Sequence, residues 1–227
     1  MPRNTEKLAR LSERDQVVLN DLLRFGALTF EQIARRYDLR GHRQLPPLER
    51  LKDLGYLKKQ PDWFSNTLFY AATDRARRVL RSRLEVVIPK PNSLPHDLTV
   101  VNLADWLLEQ YPGSTWESER ELMCGPRQPN QWGRAERDPH RPDGVLVTNG
   151  LRTGIELELD WKNYEKYARI CRWFAARVEF AALRWFVQGD LLLDRIPRIV
   201  EAHALGPDLD IYVDPIPVEV EVLAWPR

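Results

Sequence analysis

The sequence predicts a two-domain chain of mixed α+β and α/β class. Three observations carry this. Residues 1–83 show helix-period apolar stripes interrupted by two short strand-like runs. Residues 84–95 hold Pro89, Pro91 and Pro95 and read as a stiff, extended joint. Residues 96–227 alternate helices with short apolar or alternating strands. At 227 residues the length allows one or two domains, and 43% hydrophobic and 10% aromatic residues suffice for packed cores. The formal net charge of +1 hides an asymmetry. Residues 1–83 hold 18 Lys/Arg against 10 Asp/Glu, a balance of +8, and residues 84–227 hold 16 against 23, a balance of −7. A basic front half joined to an acidic back half points to a nucleic-acid binder attached to something else. No run approaches the roughly 18 apolar residues that cross a bilayer. The charged start, Met1 to Asp15, has no secretory apolar stretch. Two cysteines, Cys124 and Cys171, make no disulfide framework or metal-type spacing. A cytoplasmic protein with no membrane partner and no small-molecule cofactor is expected.

The elements follow in order. Ser12 caps a first helix with Asp15 in its first turn, Val18, Leu19, Leu22 and Leu23 give its apolar stripe, and Gly26 ends it. Thr29 and Gln32 form a capping box for a short second helix carrying Ile33, Ala34 and Tyr37 inward. Leu48, Leu51 and Leu54 mark a third helix, stopped by Gly55. Pro46 and Pro47 require that helix to start near them or kink there. Tyr56–Lys59 and Leu68–Ala72 read as strands, and Thr73 caps a fourth helix carrying Ala76, Val79 and Leu80.

In the back half a helix spans Asp97–Gln110, and Trp116–Leu122 reads as a strand. A long irregular stretch from Cys124 to Arg141 holds Arg127, Arg134, Arg137 and Arg141. It either grips DNA or is simply mobile. Val145–Val147 and Gly154–Leu159 are strands joined by a turn at Asn149-Gly150. The second alternates strictly, with Ile155, Leu157 and Leu159 on one face and Glu156, Glu158 and Asp160 on the other. The two glutamates project the same way, their Cα atoms about 6.6 Å apart, a spacing that suits two carboxylates reaching one metal or a metal pair. The bland alternative is an edge strand with its acids in water. A helix then buries Tyr167, Ile170, Cys171, Phe174 and Val178, followed by a strand over Glu179–Val187, a helix over Leu191–Ala204 and a strand over Leu209–Val213.

The front order, three helices, a two-stranded wing and a helix, resembles a winged-helix DNA-binding domain, carried chiefly by Leu48-Glu-Arg-Leu-Lys-Asp-Leu-Gly-Tyr-Leu57. The resemblance implies that Arg40, His42, Arg43, Gln44 and Arg50 face DNA and that Lys58 and Lys59 start the wing. Phosphate contacts then supply most affinity. The other use of such a domain is protein contact.

The back order, helix, three strands, helix, strand, resembles the PD-(D/E)XK restriction-endonuclease-like αβββαβ core, carried by Pro142-Asp143 and Glu156-Leu-Glu158. In that family the Asp and first acid bind Mg²⁺ and a lysine two residues later helps activate water. Here Glu158 stands at the lysine position, and Lys162 is the candidate substitute. The resemblance implies Asp143, Glu156, Glu158 and Lys162 as catalytic residues. Asp143, Glu156, Glu158 and Glu119 are the implied ligands of Mg²⁺ (or Mn²⁺), with Glu117 a further candidate. Such an ion would polarise the phosphate and lower the pKa of the attacking water. His96 opens the first helix of this half and is a candidate for the same cleft.

Taken together, residues 11–213 resemble the plasmid replication–relaxation family, which joins a winged helix to a divergent nuclease-like domain. The resemblance rests on Leu48–Leu57, His96-Asp97, Arg141-Pro-Asp-Gly144 and Ile155-Glu-Leu-Glu-Leu159 with Lys162 and Tyr167. It implies work on plasmids or other mobile DNA, alone, as a homodimer or within a larger mobile-element assembly. Two functions are open. One is a Mg²⁺-dependent endonuclease or nickase. The other is a non-catalytic regulator of plasmid replication or transcription whose back domain serves dimerisation or partner binding.

Overall fold

A computed structural model describes residues 11–37, 45–61, 68–124, 140–203 and 209–223. The chain is a mixed α+β protein, with eight helices and two sheets among the described residues. It divides into two compact units, Met1–Leu98 with Ala224–Arg227, and Thr99–Leu223. No helix among the described residues is long and apolar enough to cross a membrane.

In the first unit, α1 (Glu13–Phe25) begins at a capping box in which the Ser12 amide donates to Asp15 Oδ2 at 2.8 Å and the Asp15 amide donates back to Ser12 Oγ at 3.2 Å. Gly26 closes the helix at φ 84°, a conformation that costs glycine little. Strand β1 (Leu28–Thr29) leads into α2 (Phe30–Arg36), where Thr29 and Gln32 form a second capping box. Helix α3 (Leu45–Asp53) places both prolines in its first turn, where a missing N–H is harmless. Strands β2 (Leu57–Pro61) and β3 (Leu68–Ala72) pair antiparallel, β1 adds to the other side of β3, and α4 (Asp74–Val79) follows the Thr73 cap. Leu19, Leu22, Leu28, Ile33, Leu51, Tyr56 and Phe69 make the core. Val79 is exposed, not inward, because α4 ends there after less than two turns.

The division between units falls within α5 (Leu94–Gln110), which starts three residues earlier than expected because Pro95 fits its first turn. Strand β4 covers only Thr115–Ser118, and Glu119–Cys124 is helix α6, not a continued strand. Its cause is a capping box: the Ser118 amide donates to Glu121 Oε2 at 2.8 Å, and the Glu121 amide donates to Ser118 Oγ at 3.3 Å. Strands β5 (Gly144–Thr148) and β6 (Leu151–Glu158) form a hairpin across Asn149 and Gly150, both at positive φ, 51° and 81°. Then come α7 (Tyr164–Ala175), β7 (Ala182–Val187), α8 (Asp190–His203) and β8 (Asp210–Pro215). Val178, expected inside, lies beyond the end of α7 and is fully exposed.

The sheet order is β4-β5-β6-β7-β8, antiparallel from β4 to β6 and parallel from β6 to β8. Leu183, Trp185 and Val187 pack with Tyr167, Ile170, Phe174, Leu192, Ile196 and Ile199 of α7 and α8 on one face. Phe186, which alternates to the other face, meets Trp106 of α5 edge-on at 6.2 Å. The sheet is therefore covered on both faces, and β6 lies at its centre.

Candidate functional site

Parallel pairing sets Glu156 beside Trp185 and Glu158 beside Val187. Both glutamates thus point to the α7 face. They are 3% and 2% exposed, which rules out a hydrated edge strand. Asp143 precedes the Gly144–Ile155 pair, and its Oδ2 accepts from the Leu157 amide at 2.7 Å. Helix α7 can lie close over these acids because Gly154 has no side chain: a Cβ there would stand 2.1 Å from Phe174 Cε1.

Each carboxylate has a partner from this chain. His140 Nε2 lies 2.6 Å from Glu156 Oε1, its ring held edge-on by Trp173 and Phe174 at 5.3 and 5.9 Å. Lys162 Nζ lies 2.7 Å from Glu158 Oε2 as a close ion pair rather than a well-aligned hydrogen bond. Lys166 Nζ lies 3.6 Å from Glu158 Oε1. Tyr167 underlies the turn between β6 and α7, its hydroxyl accepting from the Lys162 amide at 3.2 Å and donating to the Asp160 carbonyl at 3.4 Å.

The electrostatics follow from this enclosure. Burial raises the Glu156 carboxyl to about 7, although His140 pulls it back down. Burial disfavours charge on His140, but Glu156 beside it outweighs that and leaves the imidazole above its ordinary value. Lys162 is likewise opposed by burial yet raised by Glu158. Lys166 is lowered, first by burial and then by the neighbouring Lys162. Burial lifts the Cys171 thiol to about 11, which removes it as a nucleophile at neutral pH.

Of the expected site residues, the structure brings Asp143, Glu156, Glu158 and Lys162 together. Glu119 opens α6 with an exposed side chain, and Glu117 is held by Arg152 through two hydrogen bonds of 2.8 and 2.7 Å. His96 Nδ1 is 3.5 Å from Asp97 Oδ1 at the start of α5. Arg141 is half-buried just before Pro142. Arg127, Arg134 and Arg137 lie outside the described residues. His140 and Lys166 went unread in the sequence. The first stands two residues before Pro142-Asp143, and the second lies one helical turn beyond Lys162.

In the first unit Arg40, His42, Arg43 and Gln44 lie outside the described residues. Arg50, expected at DNA, pairs with Asp15, whose carboxyl is lowered below its ordinary value by Ser12 and Arg50 against the effect of burial. Lys59 sits 3.6 Å from Glu49 Oε1 and over the Tyr70 ring, whereas Lys58 is exposed.

The divalent metal implied by the resemblance needs three or more oxygen ligands converging on one point. Among the described residues no group of three or more His, Cys, Asp or Glu side chains is so placed. The acids of this cluster are met by an imidazole, a backbone amide and two ammonium groups, so the donor set does not fit a divalent ion as it stands. No family model, curated protein or solved structure matches the chain.

Proposed function

We propose that this chain is a DNA-binding protein of the plasmid or mobile-element type. Its first unit is a winged helix, and its second is a nuclease-like unit that does not cut DNA. The best-supported reading is a regulator of plasmid replication or transcription. The observation that carries it is the neutralisation of Asp143, Glu156 and Glu158 by His140, Lys162, Lys166 and the Leu157 amide. The order α1, β1, α2, α3, β2, β3, with β3 central in its sheet, supports the winged-helix reading, as does the +8 balance of residues 1–83. The order α5, β4, β5, β6, α7, β7, with the short α6 inserted between β4 and β5, supports the nuclease-like reading.

A second reading keeps Mg²⁺-dependent cleavage. It is favoured by one observation: Asp143 immediately precedes β5, Glu156 lies on the neighbouring β6, and Glu158 shares the face of Glu156. Purified protein mixed with supercoiled plasmid separates the two. A mobility shift without nicking, in Mg²⁺, Mn²⁺ or EDTA alike and shared by Glu156→Ala, is expected. Metal-dependent nicking that Glu156→Ala abolishes would establish the second reading. Absence of any shift would remove both.

A further inference from the structure

We propose that residues 216–223, the segment that follows β8, form an exchangeable strap through which two copies of this chain dimerise. In the dimer each strap leaves its own α5 and docks on the α5 of the other copy. The proposal goes beyond DNA binding and stands whether or not the chain cuts DNA, because it concerns the second unit alone.

The seat for the strap is already built, and the chain's own strap fills it. Past β8 the Ile216 amide still donates to the Val187 carbonyl at 3.1 Å. The chain then turns, with the Val220 amide donating to the Pro217 carbonyl at 3.0 Å, and Val220 is buried. Beyond the turn, Asn102 Nδ2 donates to the Glu221 carbonyl at 2.8 Å, and the Leu223 amide donates to Thr99 Oγ1 at 3.0 Å. Thr99 and Asn102 stand three residues apart on one face of α5, and both are buried. Two buried polar side chains of a helix thus grip the main chain of an extended segment, one as acceptor and one as donor. The same grip serves an identical segment from another molecule.

The sequence of the strap conflicts with the path it takes. Val218-Glu-Val-Glu-Val222 alternates apolar and acidic residues with the period of a strand, and its valines are β-branched. Among the described residues, however, it enters no strand. The turn that brings it back to α5 has Val218 and Glu219 at its centre, neither of them a turn-forming residue, and leaves Val218 96% exposed. Pro217 favours extended backbone at Ile216. A hinge whose local preferences oppose its turn favours straightening. Once straight, residues 217–219 no longer return 220–223 to their own α5. The closed and exchanged forms make the same contacts at the seat, so the hinge and the protein concentration decide between them. The occupant is a second copy because the seat fits this strap and every copy offers both a strap and a seat.

The test uses the full chain without DNA, so its outcome is independent of DNA binding or cleavage. Sedimentation velocity over a dilution series is expected to show a wild-type dimer whose fraction rises with concentration. Val218→Asp/Glu219→Gly supplies turn-forming residues at the hinge and is expected to return the chain to monomer. Thr99→Val/Asn102→Ala damages the seat and Val220→Asp damages the strap, so each variant alone is expected to be monomeric. Mixed in equal amounts the two are expected to dimerise, because the intact strap of the first and the intact seat of the second have no competitor in their own chains. Circular dichroism melts establish that each variant is folded. Where one is not, Asn102→Ala alone or Val220→Ser takes its place. The proposal is overturned by a wild type that stays monomeric at every concentration, or by a dimer that Val220→Asp or the hinge variant leaves intact. It is equally overturned by a mixture of the folded seat and strap variants that stays monomeric.

Discussion

At the scale of single residues, the burial of Glu156, only partly offset by His140 beside it, makes stability depend on pH. Glu156 has a folded pKa of about 7 against an ordinary value of 4.5, and His140 is also raised. The folded state therefore holds more protons than the unfolded chain, and its stability falls as pH rises. The Glu156 contribution is full below pH 4.5 and is lost between there and about 7, and the His140 contribution is lost above its ordinary value of 6.5. For Glu156 the loss is on the order of 3 kcal/mol. Denaturation of the wild type at pH 5, 6, 7 and 8 is expected to show this decline, and Glu156→Gln is expected to flatten its lower part. A wild-type profile that rises from pH 5 to 8 would refute the assignment. None of this was visible in the sequence. The alternation of Glu156, Leu157 and Glu158 gave the shared face, but the histidine that meets Glu156 stands sixteen residues earlier in the chain, and nothing local to the strand points to it.

At the scale of elements, the sequence marks helix starts well where a capping box is written into it. Ser12 with Asp15 and Thr29 with Gln32 both appear as read. The same signature, Ser118-Glu-Arg-Glu121, starts α6 within the segment Trp116–Leu122 that the sequence reading gives as a strand. Ser118→Ala is expected to cost about 1 kcal/mol, measured by chemical denaturation. The burial of both faces of β6 was not legible either. Its polar alternation resembles that of a half-exposed strand, whereas its place between β5 and β7 under α7 is a matter of topology. Gly154 marks the closest approach of α7, and Gly154→Ala is expected to destabilise the second unit by about 1–3 kcal/mol. Adding Phe174→Leu should restore part of that loss, because it removes the ring atoms that the new methyl group meets. A fully additive double variant would argue against this contact.

At the scale of the whole molecule, the proposed function assigns DNA to the basic first unit. Arg50, Lys52 and Lys59 are paired with acids of their own unit, whereas Lys58, near the start of β2, is exposed. DNA affinity is expected to fall steeply between 50 and 200 mM salt, as counterion release requires. Lys58→Ala should weaken binding similarly across sequences and reduce the salt slope by about one unit, as measured by fluorescence anisotropy. An unchanged slope would remove Lys58 from the interface. The charge asymmetry and the prolines point to two domains joined over residues 84–95, and the chain divides into two compact units within α5. Pro95 is as compatible with the first turn of α5 as with a linker.

The arrangement of β6 also sets an order of assembly. Its partner β5 is reached through the two-residue turn at Asn149-Gly150, whereas its other partner, β7, is reached only after α7 has crossed over. Hairpins of this kind close in microseconds, and crossovers wait for longer loop closure. Glu156 and Glu158 are thus expected to join the sheet while still hydrated, and Glu158 to meet Lys166 of α7 afterwards. Lys166→Met should then speed unfolding and leave the folding rate nearly unchanged, the mark of a contact formed after the rate-limiting barrier.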